Sequence, residues 1–323
     1  MKRRDALAAV LVLALPRGVR AQPARKVYRI GILEAVPEAE NVDNLAALRQ
    51  GLRDLGYVEG RNLVIDYRSA DGHAERFPRL AADLVHLRVD LIVTRGTPAA
   101  RAAKAATATI PVVMAAMGDP SSIAGGFARP SANVTGLTTF STELVAKRIQ
   151  LLKELAPGIA RIGLLHNMGN PAAPPEWSEV QAACRTLALQ SELFDVRSES
   201  DLQRALDAAA QHRIDALVVG ADGLLQAHRR AIVEQVARRK LPATYPAREF
   251  VEAGGLMSYA VNYPALYRRF AAYVDRILKG AKPGDLPVEQ PTKFELAINV
   301  GTARALRLAV PSSMLLLADA VIQ

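Results

Sequence analysis

The sequence is poor in cysteine and in aromatic residues, and it contains no long apolar run. Cys184 is the only cysteine among 323 residues, which excludes an internal disulfide and a cysteine-based zinc or iron–sulfur site. Aromatic residues make up 5% of the chain while Ala, Leu and Val are abundant, and this mixture favours an α/β fold over an all-β sandwich. Because a run of about 20 apolar residues is needed to span a bilayer, we expect the mature protein to be soluble.

The motifs of several enzyme classes are also missing. No G-x-G-x-x-G follows the first predicted strand, and neither a Walker A lysine motif nor a G-x-S-x-G nucleophile elbow occurs. The five histidines lie at no metal-ligand spacing, and Cys184 lies on the apolar side of a predicted helix, as a buried structural thiol would. We therefore expect a protein that is not an enzyme and that uses no cofactor or metal.

The formal charge of +9 falls mainly on two kinds of segment, neither of which indicates nucleic-acid binding. Residues 1–21 hold five basic residues and one acidic residue, so their removal would leave a charge of +5. The arginine clusters Arg229-Arg230 and Arg238-Arg239-Lys240 lack interleaved aromatics, which is typical of solvated helix faces. We expect no nucleic-acid partner.

The first 21 residues have the layout of a cleavable export signal. Lys2-Arg3-Arg4 precede the 11 apolar residues Ala6–Pro16, and Val19-Arg20-Ala21 offers a cleavage site before Gln22. The arginine pair leaves a twin-arginine route open, although Asp5 and Ala6 depart from its usual context. The sequence predicts a periplasmic protein that begins at Gln22.

Behind this signal, strand-like and helix-like segments alternate in two series. Strands separated by helices indicate parallel sheets covered on both faces, and two series indicate two doubly wound lobes. The predicted helices include Ala74–Leu87 and Leu224–Arg239. A helix over Pro264–Leu278 and a strand over Phe294–Ile298 remain after each lobe is nearly complete, so we expect the chain to cross between the lobes several times.

The turns after the strands of the first lobe hold the candidate binding residues, because ligands of open α/β sheets bind at the carboxyl ends of the strands. In Gly96-Thr97-Pro98, Thr97 is a good N-cap and Pro98 suits the first helical position. This turn is either a carboxylate cradle or a capped helix without a ligand. Asp119 could accept a hydrogen bond from a ligand ammonium or stabilise its own turn. Three hydroxyl residues where the chain leaves the first lobe could bind ligand or cap the next helix: Thr138, Thr139 and Ser141.

The second lobe offers a similar set. Asn167 follows its first strand and Asp222 its third, and we assign Asp222, like Asp119, as a candidate for an ammonium. Phe140, Tyr245 and Tyr259 lie at strand ends, where aromatic rings either stack on a ligand or pack at the hinge.

Several segments resemble one family of periplasmic substrate-binding proteins of ABC importers, the group that includes tryptophan/tyrosine-type binding proteins. The matching segments are residues 51–62 (GLRDLGYVEGRN), 96–100 (GTPAA), 110–113 (IPVV), 118–120 (GDP), 133–136 (NVTG), 273–283 (YVDRILKGAKP) and 286–296 (LPVEQPTKFEL). The likeness spans essentially the whole mature chain and is most specific in the last two segments.

The resemblance implies a type I periplasmic-binding-protein fold, with two Rossmann-like lobes joined by three crossovers and a ligand held between them. We expect lobe I to hold residues 27–140 and 262–288, and lobe II residues 141–261 and 289–323. The implied function is capture of a small polar ligand, amino-acid-like or carboxylate, by a monomer that delivers it to ABC permease subunits in the inner membrane.

One departure from the family pattern lies beside the presumed cleft. Arg95 stands where the family commonly has a small residue, and it either binds an acidic ligand or points to solvent, the option that we favour.

Two alternative functions use the same or a related fold. A ligand-sensing receptor would need an attached DNA-binding module or membrane span, and an α/β enzyme would need the motifs that are missing.

Overall fold

A computed structural model describes residues 26–117, 121–128, 130 and 133–323. Two sheets form its centre. The strands are β1 (Tyr28–Glu34), β2 (Leu63–Ser69), β3 (Leu91–Thr94), β4 (Val112–Met117), β5 (Val134–Thr138), β6 (Arg161–His166), β7 (Gln190–Asp195), β8 (Ala216–Val219), β9 (Ala243–Tyr245), β10 (Met257–Ala260), β11 (Glu295–Asn299) and β12 (Ala320–Ile322).

Helices cover both sheets. They are α1 (Val42–Asp54), α2 (Phe77–His86), α3 (Thr97–Ala106), α4 (Ser121–Ala124), α5 (Ser141–Leu155), α6 (Ala173–Thr186), α7 (Glu199–Gln211), α8 (Gly223–Ala227), α9 (Arg229–Arg238), α10 (Arg248–Glu252), α11 (Tyr263–Leu278), α12 (Val300–Ala305) and α13 (Ser312–Leu317). Short 3₁₀ turns lie at Glu38–Glu40, Ala74–Arg76 and Pro283–Asp285. In the described part of the chain, no helix is both long enough and apolar enough to cross a bilayer.

The two sheets repeat one strand order. The first sheet runs β2-β1-β3-β4-β5, and all its strands are parallel. The second runs β7-β6-β8-β9-β10 in parallel and then adds β11, antiparallel to β10, and β12, parallel to β11. We call the first sheet with its helices lobe I and the second lobe II. The prediction of two α/β lobes with mainly parallel sheets is confirmed.

The chain passes between the lobes three times. It leaves lobe I after β5, returns after β10 to place α11 against α1, and leaves again before β11. The approach of α11 to α1 is close, since a Cβ atom on Gly51 would lie 2.8 Å from the Cβ of Ala271. Residues before β11 also extend the first sheet, because the N–H of Glu289 donates to Gly136 O and the N–H of Thr138 donates to Glu289 O, each at 3.0 Å.

Each lobe buries the apolar residues that its alternating pattern supplies. Ile30, Leu48 and Leu52 belong to a core between the first sheet and the α1–α11 pair. Ile162, Leu164 and Cys184 belong to a core of lobe II, where Cys184 is 1% exposed and burial raises the pKa of its thiol to about 11. The buried structural thiol predicted from the sequence agrees with this position.

Two predicted helices differ from the structure. The segment 74–87 begins as the 3₁₀ turn Ala74–Arg76 and becomes α-helical only at Phe77, whose successor is Pro78. The segment 224–239 is divided at His228 into α8 and α9. His228 both ends α8 and caps α9 with φ −100° and ψ 18°, an irregular backbone that hydrophobic periodicity cannot reveal.

Candidate functional site

A cleft separates the carboxyl ends of the parallel strands of the two sheets. Its empty volume is about 880 Å³, open solvent at the mouth included. The lobe I wall comes from the ends of β1, β3 and β4, and the lobe II wall from the ends of β6, β8 and β9 and from the first turn of α5. Polar and charged side chains on these walls are Glu34, Arg95, Thr97, Thr139, Ser141, Thr142, Asn167, Asn170, Glu176, Asp222 and Gln226.

The lobes touch each other across the cleft. Arg229 of lobe II donates to Glu40 Oε2 of lobe I at 2.7 Å, and Glu249 of lobe II lies 3.5 Å from Arg95 of lobe I. A Cβ atom on Gly223 would lie 2.7 Å from the Cβ of Ala35, which leaves no room for a side chain. The structure therefore holds the two lobes in a closed arrangement.

Two long helices begin at the cleft, α3 from lobe I and α5 from lobe II. Gly96 precedes α3 with φ 84°, a left-handed conformation that favours glycine, and the helix begins at Thr97. The predicted N-cap was therefore wrong by one residue, because this left-handed backbone puts Gly96 in the capping position. Neither helix has a side-chain cap among the described residues, so the N–H groups of Thr97 in α3 and of Ser141 and Thr142 in α5 are available to an anion.

Ser141 lies at the start of α5 and lines the cleft. It is 4% exposed, and its Oγ has no hydrogen-bond partner among the described residues. A buried hydroxyl without a partner is unfavourable, whereas beside free helix N–H groups it adds a donor for a carboxylate. The α5 start thus combines two independent features that suit an anion.

Asp222 begins α8 on the lobe II wall. Its Oδ1 accepts the N–H groups of Leu224 and Leu225 at 2.8 and 3.3 Å, and its Oδ2 accepts from Asn170 at 2.9 Å and from Asn167 at 3.5 Å. These neutral donors hold the carboxylate at the edge of the cleft in one orientation.

Glu176 belongs to a buried group of charges behind the same wall. Arg148 approaches Glu176 to 3.5 Å and donates from Nε to Tyr259 O at 3.0 Å. Burial lowers the pKa of Arg148, although Glu176 opposes that change. His166 accepts the N–H of Asn167 at Nδ1 (2.8 Å), and its Nε2 faces Glu176 at 3.2 Å. Burial lowers the pKa of His166, but the hydrogen bond and the charge of Glu176 outweigh burial and raise that pKa above its ordinary value.

Glu34 ends β1 on the opposite wall and is 1% exposed. Its Oε1 accepts from Tyr267 and, at 3.2 Å, from Asn41, whereas its Oε2 has no hydrogen-bond partner among the described residues. Burial raises the pKa of the Glu34 carboxyl, and nearby Arg95 only partly offsets this.

Arg95 lies in the cleft and not in solvent, contrary to our expectation. Its side chain is 11% exposed, its guanidinium lies 4.0 Å from the ring centroid of Tyr263, and it faces Glu249 at 3.5 Å. A cation stacked on an aromatic ring beside a carboxylate is a stabilised arrangement. The sequence could not reveal it, because both partners lie more than 150 positions away along the chain.

The predicted site residues divide into two groups. Gly96, Thr97, Asn167 and Asp222 line the cleft together. Thr138, Phe140, Tyr245 and Tyr259 are not among the described residues that line it, and Asp119 lies outside the described residues. Thr139 and Ser141, named with Thr138 as residues that could bind ligand or cap a helix, also line the cleft. Sequence reasoning missed Glu34 and Glu176, although the end of the first strand would have pointed to Glu34.

The three aromatic residues predicted to stack on a ligand have other surroundings. Tyr245 is buried against Phe250, with ring centroids 5.1 Å apart, and lines a separate apolar cavity of lobe II. Tyr259 packs beside Phe294 at 6.0 Å. Phe140 precedes α5 with φ 52°. The alternation of side chains along β9 and β10 turns these tyrosines onto the sheet faces, away from the strand edge.

These features define a class: a two-lobed protein that encloses a small molecule between similar α/β halves. The chain matches the family described as ABC transporter substrate binding protein over residues 29–322, and it belongs to that family. The prediction of a binding protein and not an enzyme is thereby confirmed, and such proteins act outside the cytoplasm.

Individual relatives agree with this assignment. A tyrosine-binding protein of Clostridioides difficile (strain R20291) is 25% identical over 285 residues, 88% of this chain and 82% of the relative. An ABC domain from Streptococcus pneumoniae, solved in complex with L-Trp, is 27% identical with a TM-score of 0.84 and covers 92% of this chain and 100% of its own. A conserved domain protein of Vibrio cholerae is 28% identical with a TM-score of 0.86 and the same coverage.

Proposed function

We propose that this protein captures a small amino-acid-like or carboxylate ligand in the cleft between its lobes and delivers it to an ABC importer. The observation that carries the proposal is the start of α5, where Ser141 Oγ and uncapped backbone N–H groups face the cleft. The start of α3 at Thr97 offers further N–H groups from the other lobe, and Asp222 would accept from a ligand ammonium. Tyrosine and L-Trp, the ligands of two relatives, carry both groups.

Ligand binding would favour the closed state because the two walls belong to different lobes. A molecule held by both walls has more contacts when the lobes are closed, and this differential affinity shifts the population towards closure. A permease could then distinguish loaded from empty protein by the relative position of the lobes. The division of the lobes at residues 140/141, 261/262 and 288/289 is part of this proposal, and the packing of α11 on α1 supports it.

The proposal is tested by calorimetry on the chain that begins at Gln22, with a panel of amino acids. Ser141→Ala should weaken binding of an amino acid roughly 10- to 100-fold, because a hydrogen bond to a charged group contributes about 1.5–3 kcal/mol. Ser312→Ala is the matched control, since Ser312 also begins a helix but is exposed and does not line the cleft. Equal affinity of the Ser141 variant and the parent would contradict the carboxylate site.

Export is part of the same proposal. Residues 1–21 would be removed, and the protein would act in the periplasm as a monomer. Mass spectrometry of the periplasmic fraction should give a chain that begins at Gln22, and replacing Arg3 and Arg4 by lysine would separate the twin-arginine route from general secretion. Retention of the full-length chain in the cytoplasm would contradict export.

A further inference from the structure

The charges on the cleft walls do not balance. Among the described residues that line the cleft, Glu34, Glu176 and Asp222 are acidic and Arg95 is basic. Two ion pairs account for part of this set: Arg95 with Glu249 at 3.5 Å, and Arg148, behind the wall, with Glu176 at 3.5 Å. His166 faces the same Glu176 at 3.2 Å and makes no hydrogen bond to Glu34 or Asp222 among the described residues. Two carboxylates are left over, Glu34 and Asp222.

The two remaining carboxylates lie on opposite walls. Glu34 belongs to lobe I and Asp222 to lobe II. The hydrogen bonds of Asp222 come from amide groups, and those of Glu34 Oε1 come from a tyrosine and an asparagine. These neutral donors orient the carboxylates without cancelling their charge.

Glu34 Oε2 is the clearest open position in the cleft. It is buried and accepts no hydrogen bond from any described residue, while Oε1 of the same carboxylate holds two donors. Arg95 lies near enough to favour the ionised carboxylate, but that guanidinium already faces Glu249 and Tyr263. A buried carboxylate oxygen without a donor is costly, and a cationic donor on the ligand would remove that cost.

From this arrangement we propose that the ligand carries two cationic groups, as an amino acid with a basic side chain does. This inference rests on the proposed function and specifies its ligand class. One cationic group binds Glu34 Oε2 and the other binds Asp222, while the carboxylate of the ligand binds at the start of α5. The net charge of the ligand is then positive, unlike that of tyrosine or tryptophan.

The same charges link ligand binding to closure. In the empty protein, closure places two uncompensated carboxylates on opposite walls of one cleft, and like charges repel more strongly between protein walls than in open solvent. A ligand with two cationic groups cancels this repulsion, whereas a neutral amino acid with one ammonium cancels half of it. The closed state therefore binds a dicationic ligand more favourably than the open state does.

Calorimetry with L-arginine and L-citrulline tests the inference, because the two molecules have nearly the same shape and differ by one charge. L-Arginine should bind roughly 10- to 100-fold more tightly, as expected for one charge-assisted hydrogen bond. L-Lysine should exceed L-norleucine in the same direction. Equal affinities within either pair would overturn the inference.

Further probes separate this inference from the proposed function. Tight binding of L-Trp, L-Tyr or L-Glu with weaker binding of L-Arg and L-Lys would overturn the charge requirement and leave the proposed function intact. Absence of binding to every amino acid would overturn both. A diamine that binds as tightly as L-arginine would support the two cationic positions and contradict the carboxylate site at α5.

Glu34→Gln identifies the residue responsible. The amide retains an oxygen for Tyr267 and Asn41 but removes the charge, so L-arginine affinity should fall roughly 10- to 100-fold while L-citrulline affinity changes by less than about threefold. Glu75→Gln makes the same change on lobe I at an exposed site, where the side chain is 76% accessible, and should alter neither affinity. A Glu34→Gln protein that keeps its preference for L-arginine would overturn the role of Glu34.

Discussion

Lobe I and lobe II build their cleft walls from sheets with the same strand order, yet they hold buried carboxylates differently. On lobe II, Glu176 has a buried arginine behind it and Asp222 has donors on both oxygens. On lobe I, Glu34 has one oxygen saturated and the other open. The lobe II carboxylates are thus oriented by residues of their own lobe, whereas Glu34 of lobe I keeps one oxygen without a donor. Two sheets with the same strand order can therefore give their buried carboxylates different hydrogen-bond partners.

Removal of the buried cation of lobe II should have the largest effect on stability. Arg148→Met should lower the free energy of unfolding by about 3–5 kcal/mol, because it leaves the buried Glu176 carboxylate without its arginine. Urea unfolding of the ligand-free protein measures this loss. Adding Glu176→Gln to the same chain should restore part of the stability. An Arg148→Met protein as stable as the parent would show that burial of the Glu176 carboxylate does not depend on Arg148.

The contact between the lobes is tested by adding one methyl group. Gly223→Ala places a Cβ 2.7 Å from the Cβ of Ala35, so the closed state must shift at a cost of about 1–3 kcal/mol, and ligand affinity should fall roughly tenfold. Gly158→Ala is the control, since no atom lies within 4 Å of its added Cβ. The thermal midpoint of the ligand-free protein should change little in either variant. Unchanged affinity in Gly223→Ala would mean that the lobes do not meet there when ligand is bound.

Asp222→Ala should cost less stability than Arg148→Met. The variant removes the cap of α8, which should cost about 1 kcal/mol in the ligand-free protein. Asp222→Asn keeps an acceptor and should recover most of that stability without recovering affinity for a cationic ligand. If both variants were as stable as the parent, the cap would be unimportant and Asp222 would resemble Glu34 more closely than we describe.

Replacing Glu34 should raise the stability of the empty protein, whereas replacing Asp222 should lower it. Its carboxyl pKa is raised by burial above the ordinary value of 4.5, so the folded state holds the proton more tightly than the unfolded chain. Stability linked to this group is present below pH 4.5 and is lost as the pH rises through the raised pKa. Glu34→Gln should therefore raise the urea midpoint at pH 7 more than at pH 4. An equal change at both pH values would contradict an uncompensated charge at Glu34.

The sequence predicts the fold well because the fold depends on local patterns. Apolar runs identify the strands, and helical spacing such as that of Leu45, Leu48 and Leu52 identifies the covering helices. The helix predicted over Pro264–Leu278 and the strand predicted over Phe294–Ile298 remain after both lobes are nearly complete, and they indicate that the chain crosses between the lobes. Irregular features, such as the division at His228, carry no periodic signal.

The site is predicted less completely because it depends on residues that are distant in sequence. Strand-end positions point correctly to Thr97, Asn167 and Asp222 as cleft residues. The orientation of Arg95 depends on Glu249 and Tyr263, and the open oxygen of Glu34 depends on Tyr267. Tyr245 and Tyr259 show the reverse error, since a residue at the end of a strand can still direct its side chain into a core.

The placement of α11 affects the order in which the protein can be assembled. All five strands of lobe I precede residue 139, but the helix that packs against α1 at Gly51 begins at Tyr263, after the contiguous strands β6–β10 of lobe II. A growing chain therefore completes most of the second half before α11 can pack against α1. Cutting the gene between the lobes would give an amino-terminal fragment with an uncovered apolar face, so the two halves are exchangeable between relatives only together with their shared helix.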